Sequence, residues 1–105
     1  MNAYLVVSHF KESIEGKLIA ETMPKHHAYF QKVLEEGHIF LAGPHVWEDG
    51  SVGKGGVMLL KTDSMEEAED IMQHDPLVMG GIAEYTISPF KVVKVRPELE
   101  NWLNG

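Results

Sequence analysis

An α+β fold with the order β-α-β-β-α-β is what the sequence predicts, and three observations carry the prediction. Two stretches with helical periodicity, from about Pro24 to Gly37 and from Thr62 to Pro76, alternate with short runs of β-formers. A cluster of turn formers, EDGSVGKGG, separates the two central β runs and makes them a hairpin. A β run also stands at each end, before the first helix and after the second. With both crossovers helical, this is the ferredoxin-like split βαβ order, an antiparallel sheet with helices on one face. Two helices cover one face only, while the strands carry apolar residues on both. A homodimer through sheet packing is therefore expected.

The run AYLVVSH at residues 3–9 is short, apolar and rich in β-formers, and forms the first strand. Residues 10–22 combine helical character with an internal glycine, so a loop or short helical turn is expected there. The main helix then starts near Pro24, whose missing N–H costs nothing in a first turn, and ends at Gly37, suited to the left-handed closing position. His26, Phe30, Val33 and Leu34 recur at helical spacing on its inward side, and His27 points about 100° away.

HIFLAGPHVW and GVMLLKT supply the hairpin strands. TDSMEEAEDIMQHDP opens with N-cap candidates and acidic residues where the helix dipole favours them. Met65, Ala68, Met72 and Asp75 lie along its buried face, and Pro76 stops it. Residues 77–81 are expected to add one more turn. IAEYTISPFKVVKV is a long last strand, with Pro89 at an edge position or bulge. In the tail, Leu99, Trp102 and Leu103 form a small apolar stripe that suits a short docked helix.

A chain of 105 residues, 44% hydrophobic, is expected to form one domain over residues 1–95, followed by a tail at 96–105. The lack of cysteine excludes disulfides, thiolate catalysis and thiolate metal sites. No apolar run nears the length of about 18 residues that spans a bilayer, and the start of the chain lacks signal-peptide character. A cytoplasmic protein without membrane contact is expected. With a net charge of −7 and scattered cations, nucleic acid is not expected as a partner.

Chemistry centres on His26 and Asp75, each on an inward face at a helix end. A carboxylate on one imidazole nitrogen fixes tautomer and orientation and leaves the other nitrogen free to move a proton near neutral pH. Without cysteine or a nucleophile-elbow serine, proton abstraction followed by elimination or isomerisation fits better than acyl transfer. The alternative is that the two residues form a buried hydrogen-bonded pair with a structural role only. His9 and Phe40 are expected to line a pocket from strand ends. His27, His38 and His45 are further histidines near this region, but no HxH or HxxxH pair with a carboxylate occurs, so neither metal nor cofactor is expected. SVGKGG lacks the phosphate-loop pattern and joins two strands. The methionines at 58, 65, 72 and 79 read as adaptable core filler.

The elements PKHH, EEGHIFLAGP and HDPLVMGGIAEYTISPFKVV together resemble the YCII-related (YciI-like) family, whose signature is a helix-start histidine, a downstream EG, an AGP turn and a late Asp-Pro. The resemblance runs from the first strand to about Val93 and leaves out the tail. It puts the family's histidine on His26 and its aspartate on Asp75, and it matches Gly43 and Pro44 to the family's turn, adding both to the candidate substrate-binding residues. It implies a dimeric α+β barrel with the histidine and aspartate side by side in a proposed active-site pocket. Members with an assigned activity include dehydrochlorinases of chlorinated, hydroxylated aromatics, and the fold resembles muconolactone isomerase. Two functions follow as expectations: a small lyase or isomerase acting on an aromatic-derived or lactone-like small molecule, or a non-catalytic ligand-binding or assembly module.

Overall fold

The structure, a computed structural model, describes residues 3–104. The elements in chain order are β1 (Ala3–Phe10), α1 (Gly16–Glu35), β2 (Ile39–Val46), β3 (Val52–Lys61), α2 (Met65–Gln73), α3 (Pro76–Met79), β4 (Ala83–Phe90) and α4 (Pro97–Asn104). The four strands form one antiparallel sheet in the order β2-β3-β1-β4. This is the expected ferredoxin-like α+β arrangement.

Strand alternation divides the sheet residues between two faces. Tyr4 pairs with Leu60, and Val6 pairs with Met58 and with Ile87. These residues meet Phe30 and Val33 of α1 and Ala68 and Met72 of α2 in the main core, where Leu60 and Ala68 are wholly buried. Burying a side chain the size of Leu60's contributes about 1.5–3 kcal/mol. A second, smaller cluster joins Leu77, Ile82 and Ala83 to Phe10, Ile14, Ile19 and Met23.

That second cluster explains a difference from the sequence expectation. Helix α1 begins at Gly16, not near Pro24, and Pro24 sits inside it. An interior proline costs a helix about 3 kcal/mol. Here Ile19 and Met23 of the early turns pack against α3 and the start of β4, and this contact holds the helix through Gly16 and Pro24. Leu34, expected to face inward, is 47% exposed because the buried stripe is narrow and ends with Phe30 and Val33. At the far end Gly37 adopts φ +85°. The His38 N–H reaches the Val33 carbonyl and the Gly37 N–H the Leu34 carbonyl, so the orphan carbonyls of the last turn are satisfied. Helix α2 is capped by Ser64, whose hydroxyl accepts from the Glu67 N–H at 3.1 Å.

The glycines of the cluster expected to form the hairpin turn lie mostly within β3. A β-carbon on Gly55 would stand 2.2 Å from the Ser8 carbonyl oxygen, so only glycine lets β1 and β3 approach there. The turn proper is tighter and earlier, closed by Trp47 N–H to Ser51 O and Gly50 N–H to Trp47 O, each at 2.8 Å. Strand β4 ends at Phe90, shorter than expected, and residues 91–96 are irregular. Pro89 lies on this edge strand, as expected.

On the sheet face away from α1 and α2, helix α4 covers one end. Trp102 stacks on Phe40 with centroids 5.2 Å apart, and the Lys61 ammonium donates to the Trp102 carbonyl. Leu59 and Leu103 are buried at this end. The rest of the face is open, with Val7, Leu41 and Val57 between 43% and 52% exposed.

Candidate functional site

Asp75 occupies the joint between α2 and α3. Its position follows from sequence: α2 ends at Gln73, Pro76 is the first residue of α3, and Asp75 is the cap between them. One carboxylate oxygen accepts from the Leu77 N–H at 3.0 Å, and the same oxygen lies 2.8 Å from His26 Nδ1. The carboxylate side chain is only 4% exposed and the imidazole 23%. Both groups are therefore largely removed from water and satisfied by each other and by the backbone.

Neighbouring packing holds the two partners. His26 sits between Met23, which belongs to the smaller apolar cluster, and Phe30, which belongs to the main core. Its ring meets Phe30 edge-on at 5.0 Å between centroids. Asp75 sits likewise between Met72 of the main core and Leu77 of the smaller cluster. The Tyr29 hydroxyl ties α1 to α2 by donating to the Ile71 carbonyl at 2.7 Å. Burial pushes the Tyr29 pKa up, and the charges of Asp70, Asp75 and Glu36 add to the shift. The phenol therefore keeps the proton it donates.

An ionised carboxylate can only accept, so the ring nitrogen facing Asp75 carries hydrogen in the bonded pair. That leaves Nε2 without a protein partner among the described residues. A neutral imidazole in this tautomer offers a lone pair at Nε2 and can take a proton there, with Asp75 stabilising the imidazolium that results.

His26 and Asp75 line a cleft of about 410 Å³ between the helices and the strand ends. Ligand sites are commonly of this size. Its wall is mainly apolar, with Met23, Phe30, Met72 and Leu77 beside the pair. His9, Gly43 and Pro44 also line it. Phe40 does not. It falls at a register shift between Ile39 and Leu41, and its ring is taken up by Trp102. His9 Nε2 is bonded at 2.8 Å to Glu84, its pairing partner on β4.

Sequence reasoning missed Ser8, His27 and Lys54, all of which line the cleft. His27 points about 100° away from the inward side of α1, yet it reaches the rim, and its ring centroid lies 5.3 Å from that of His26. Ser8 was legible by alternation from Val6. Lys54 was hidden in the glycine cluster. Among the described residues, no group of three or more His, Asp or Glu is placed to hold a metal ion, and no helix is long and apolar enough to cross a membrane.

Comparison with known proteins gives a family, a relative and two solved structures. The family model described as YCII-related domain matches residues 2–91. The protein YjpA of Bacillus subtilis (strain 168), described as uncharacterized, is 31% identical over 94 residues, covering 90% of this chain and all of YjpA. Among solved structures, the 5-chloro-2-hydroxyhydroquinone dehydrochlorinase TftG of Burkholderia phenoliruptrix AC1100, in complex with 2,5-dihydroxybenzoquinone, superposes with a TM-score of 0.70 at 16% identity, over 85% of this chain and 93% of that one. A dimeric ferredoxin-like protein from an uncultured marine organism gives a TM-score of 0.51 at 18% identity, over 90% and 97% of the two chains. At these identities the two structures share the fold with this chain.

Proposed function

The chain belongs to the YCII-related domain family, and from that premise we propose that it is a small lyase or isomerase in which His26 moves the proton and Asp75 orients it. The observation that carries this reading is the 2.8 Å bond between His26 Nδ1 and a buried, helix-capping Asp75, set in an apolar-walled cleft. A bond of that kind leaves Nε2 poised as a base toward a C–H or O–H acid, and elimination or isomerisation follows when the released electron pair expels a leaving group or shifts a double bond. The dehydrochlorinase activity named for TftG, on a fold this chain shares, supports an aromatic-derived substrate.

The working unit in this reading is a homodimer packed through the open sheet face. Val7, Leu41 and Val57 supply the apolar surface, and the neighbour described as a dimeric ferredoxin-like protein supports a dimer. We read residues 96–105 as an appended tail, whose helix α4 covers the end of this face next to Phe40 and Lys61.

The test is a panel of hydroxylated and halogenated aromatics and unsaturated lactones, followed by halide release and by the ultraviolet spectrum. Turnover that disappears in His26→Ala is the expected result. Turnover that survives this change removes the base from the mechanism.

A further inference from the structure

The cleft holds more ionisable side chains than the proton-transfer pair employs. They are His9, His26, His27, Lys54 and Asp75. Asp75, the carboxylate among them, is engaged by the His26 ring and the Leu77 N–H. His9 is engaged by Glu84, which stands outside the cleft wall. Lys54 and His27 have no acidic partner among the described residues. Lys54 is four residues before Met58, so strand alternation puts it on the same side of β3, and the intervening Gly56 leaves the space between them open.

The remainder of the chain has the opposite sign. Its net charge is −7. A separate groove of about 750 Å³ between α1 and α2 gathers Glu36, Glu66, Glu67, Glu69 and Asp70. A lysine with no acidic partner, beside a histidine likewise without one, at a mainly apolar cleft therefore stands out against that background. A lysine at a rim stays hydrated while the cleft is empty, and it supplies the counter-charge that an anion needs in order to leave water for an apolar wall.

We propose that the cleft binds a small organic anion with an apolar body, a carboxylate or a phenolate, whose charge is met by Lys54 and His27 while its body lies against Met23, Phe30 and Met72. The proposal rests on the reading of this cleft as a ligand site, and it adds the class of ligand and the residue that selects it. In that role Lys54 is a specificity residue, separate from the proton-transfer pair.

The experiment is an amide NMR titration of the full chain with two matched pairs, benzoate against benzamide and cyclohexanecarboxylate against cyclohexanecarboxamide. Each pair holds shape nearly constant and changes charge, and the two pairs separate charge from ring character. The expected result is that both anions shift the Gly43, Gly55 and Gly56 amides and bind about tenfold more tightly than their amides. Lys54→Gln lowers anion affinity by about that factor and leaves the neutral compounds unchanged, Lys54→Arg restores it, and added salt weakens the preference. Equal binding of anion and amide, or a preference that survives Lys54→Gln, overturns the anion assignment and leaves the cleft a ligand site. If none of the four compounds shifts a cleft amide, the ligand-site reading fails and the proposal falls with it.

Discussion

His26 and Asp75, 49 positions apart in sequence, meet at 2.8 Å across the boundary between two apolar clusters. Met23 and Phe30 flank the histidine, Met72 and Leu77 flank the aspartate, and in each case one neighbour belongs to the main core and the other to the smaller cluster. The pair is thus fixed by packing on both sides. Hydrogen bonds from the ring and from the Leu77 N–H converge on one oxygen of Asp75, so orientation of the imidazole and capping of α3 are a single arrangement.

The first prediction follows from that shared oxygen. In Asp75→Asn the amide oxygen can still cap Leu77, but it competes with the amide nitrogen for His26, so the ring tautomer shifts. Heteronuclear NMR of the ring nitrogens is expected to show hydrogen on Nδ1 in the wild type under mildly alkaline conditions and a mixture in the variant. Turnover is expected to fall far more than stability. Asp75→Ala removes both bonds and is expected to cost about 1–3 kcal/mol in a denaturant melt. Equal ring-nitrogen spectra in wild type and Asp75→Asn would contradict the orienting role.

Glycines on the cleft floor differ sharply in tolerance. A β-carbon at Gly55 would meet the Ser8 carbonyl at 2.2 Å, whereas one at Gly43 meets nothing within 4 Å. Gly55→Ala is expected to destabilise the chain by about 1–3 kcal/mol or to part β1 from β3 at that point. Gly43→Ala is expected to melt within about 0.5 kcal/mol of the wild type. Similar midpoints for the two variants would refute the close approach.

Much of this was legible in the sequence because local and tertiary signals agreed. The N-cap candidates before Met65, the Gly37 stop, Pro76 after Asp75 and the short runs of β-formers each led to the observed element. Helix α1 was misjudged where they disagreed, since Gly16 and Pro24 speak against a helix and only the contacts of Ile19 and Met23 reveal one. Phe40 was misplaced for a related reason: a register shift in β2 and a tail helix decide where its ring goes, and neither leaves a mark at Phe40 itself. Asp75 was readable because the end of α2 and Pro76 fix its position locally, whereas His26, expected at a helix start, lies in the middle of α1 and was readable only from its spacing to Phe30 and Val33.

For the open sheet face, scattering from the wild type is expected to give twice the chain mass at micromolar concentration. A contact of about 1,600 Å² or more is the size a stable dimer needs. Val57→Asp, placing a charge amid Val7 and Leu41, is expected to give monomers that remain folded by circular dichroism. A monomeric wild type rules out the proposed packing.

Alkaline stability has a defined sign. The Tyr85 hydroxyl is raised from 10.0 to about 12, by burial first and then by its hydrogen bond to Glu69. The folded chain therefore keeps this proton at a pH where the unfolded chain releases it. The stabilisation is complete below pH 10.0 and is lost as pH rises toward about 12. Tyr29 shifts in the same direction. Denaturant midpoints measured across this window are expected to decline, and less steeply in Tyr85→Phe. An identical slope in that variant would exclude Tyr85 as a source.

Pro44 lies in β2 and Pro89 in β4, and these are the two outermost strands of the sheet. A strand from another molecule that tried to lengthen the sheet at either side would meet a residue with no amide hydrogen and a fixed φ. Sideways growth into ribbons or fibrils is thus hindered at both borders by the same residue type. Since one of these prolines also walls the cleft, protection against fibre formation and the shape of the site are written into a single position, Pro44.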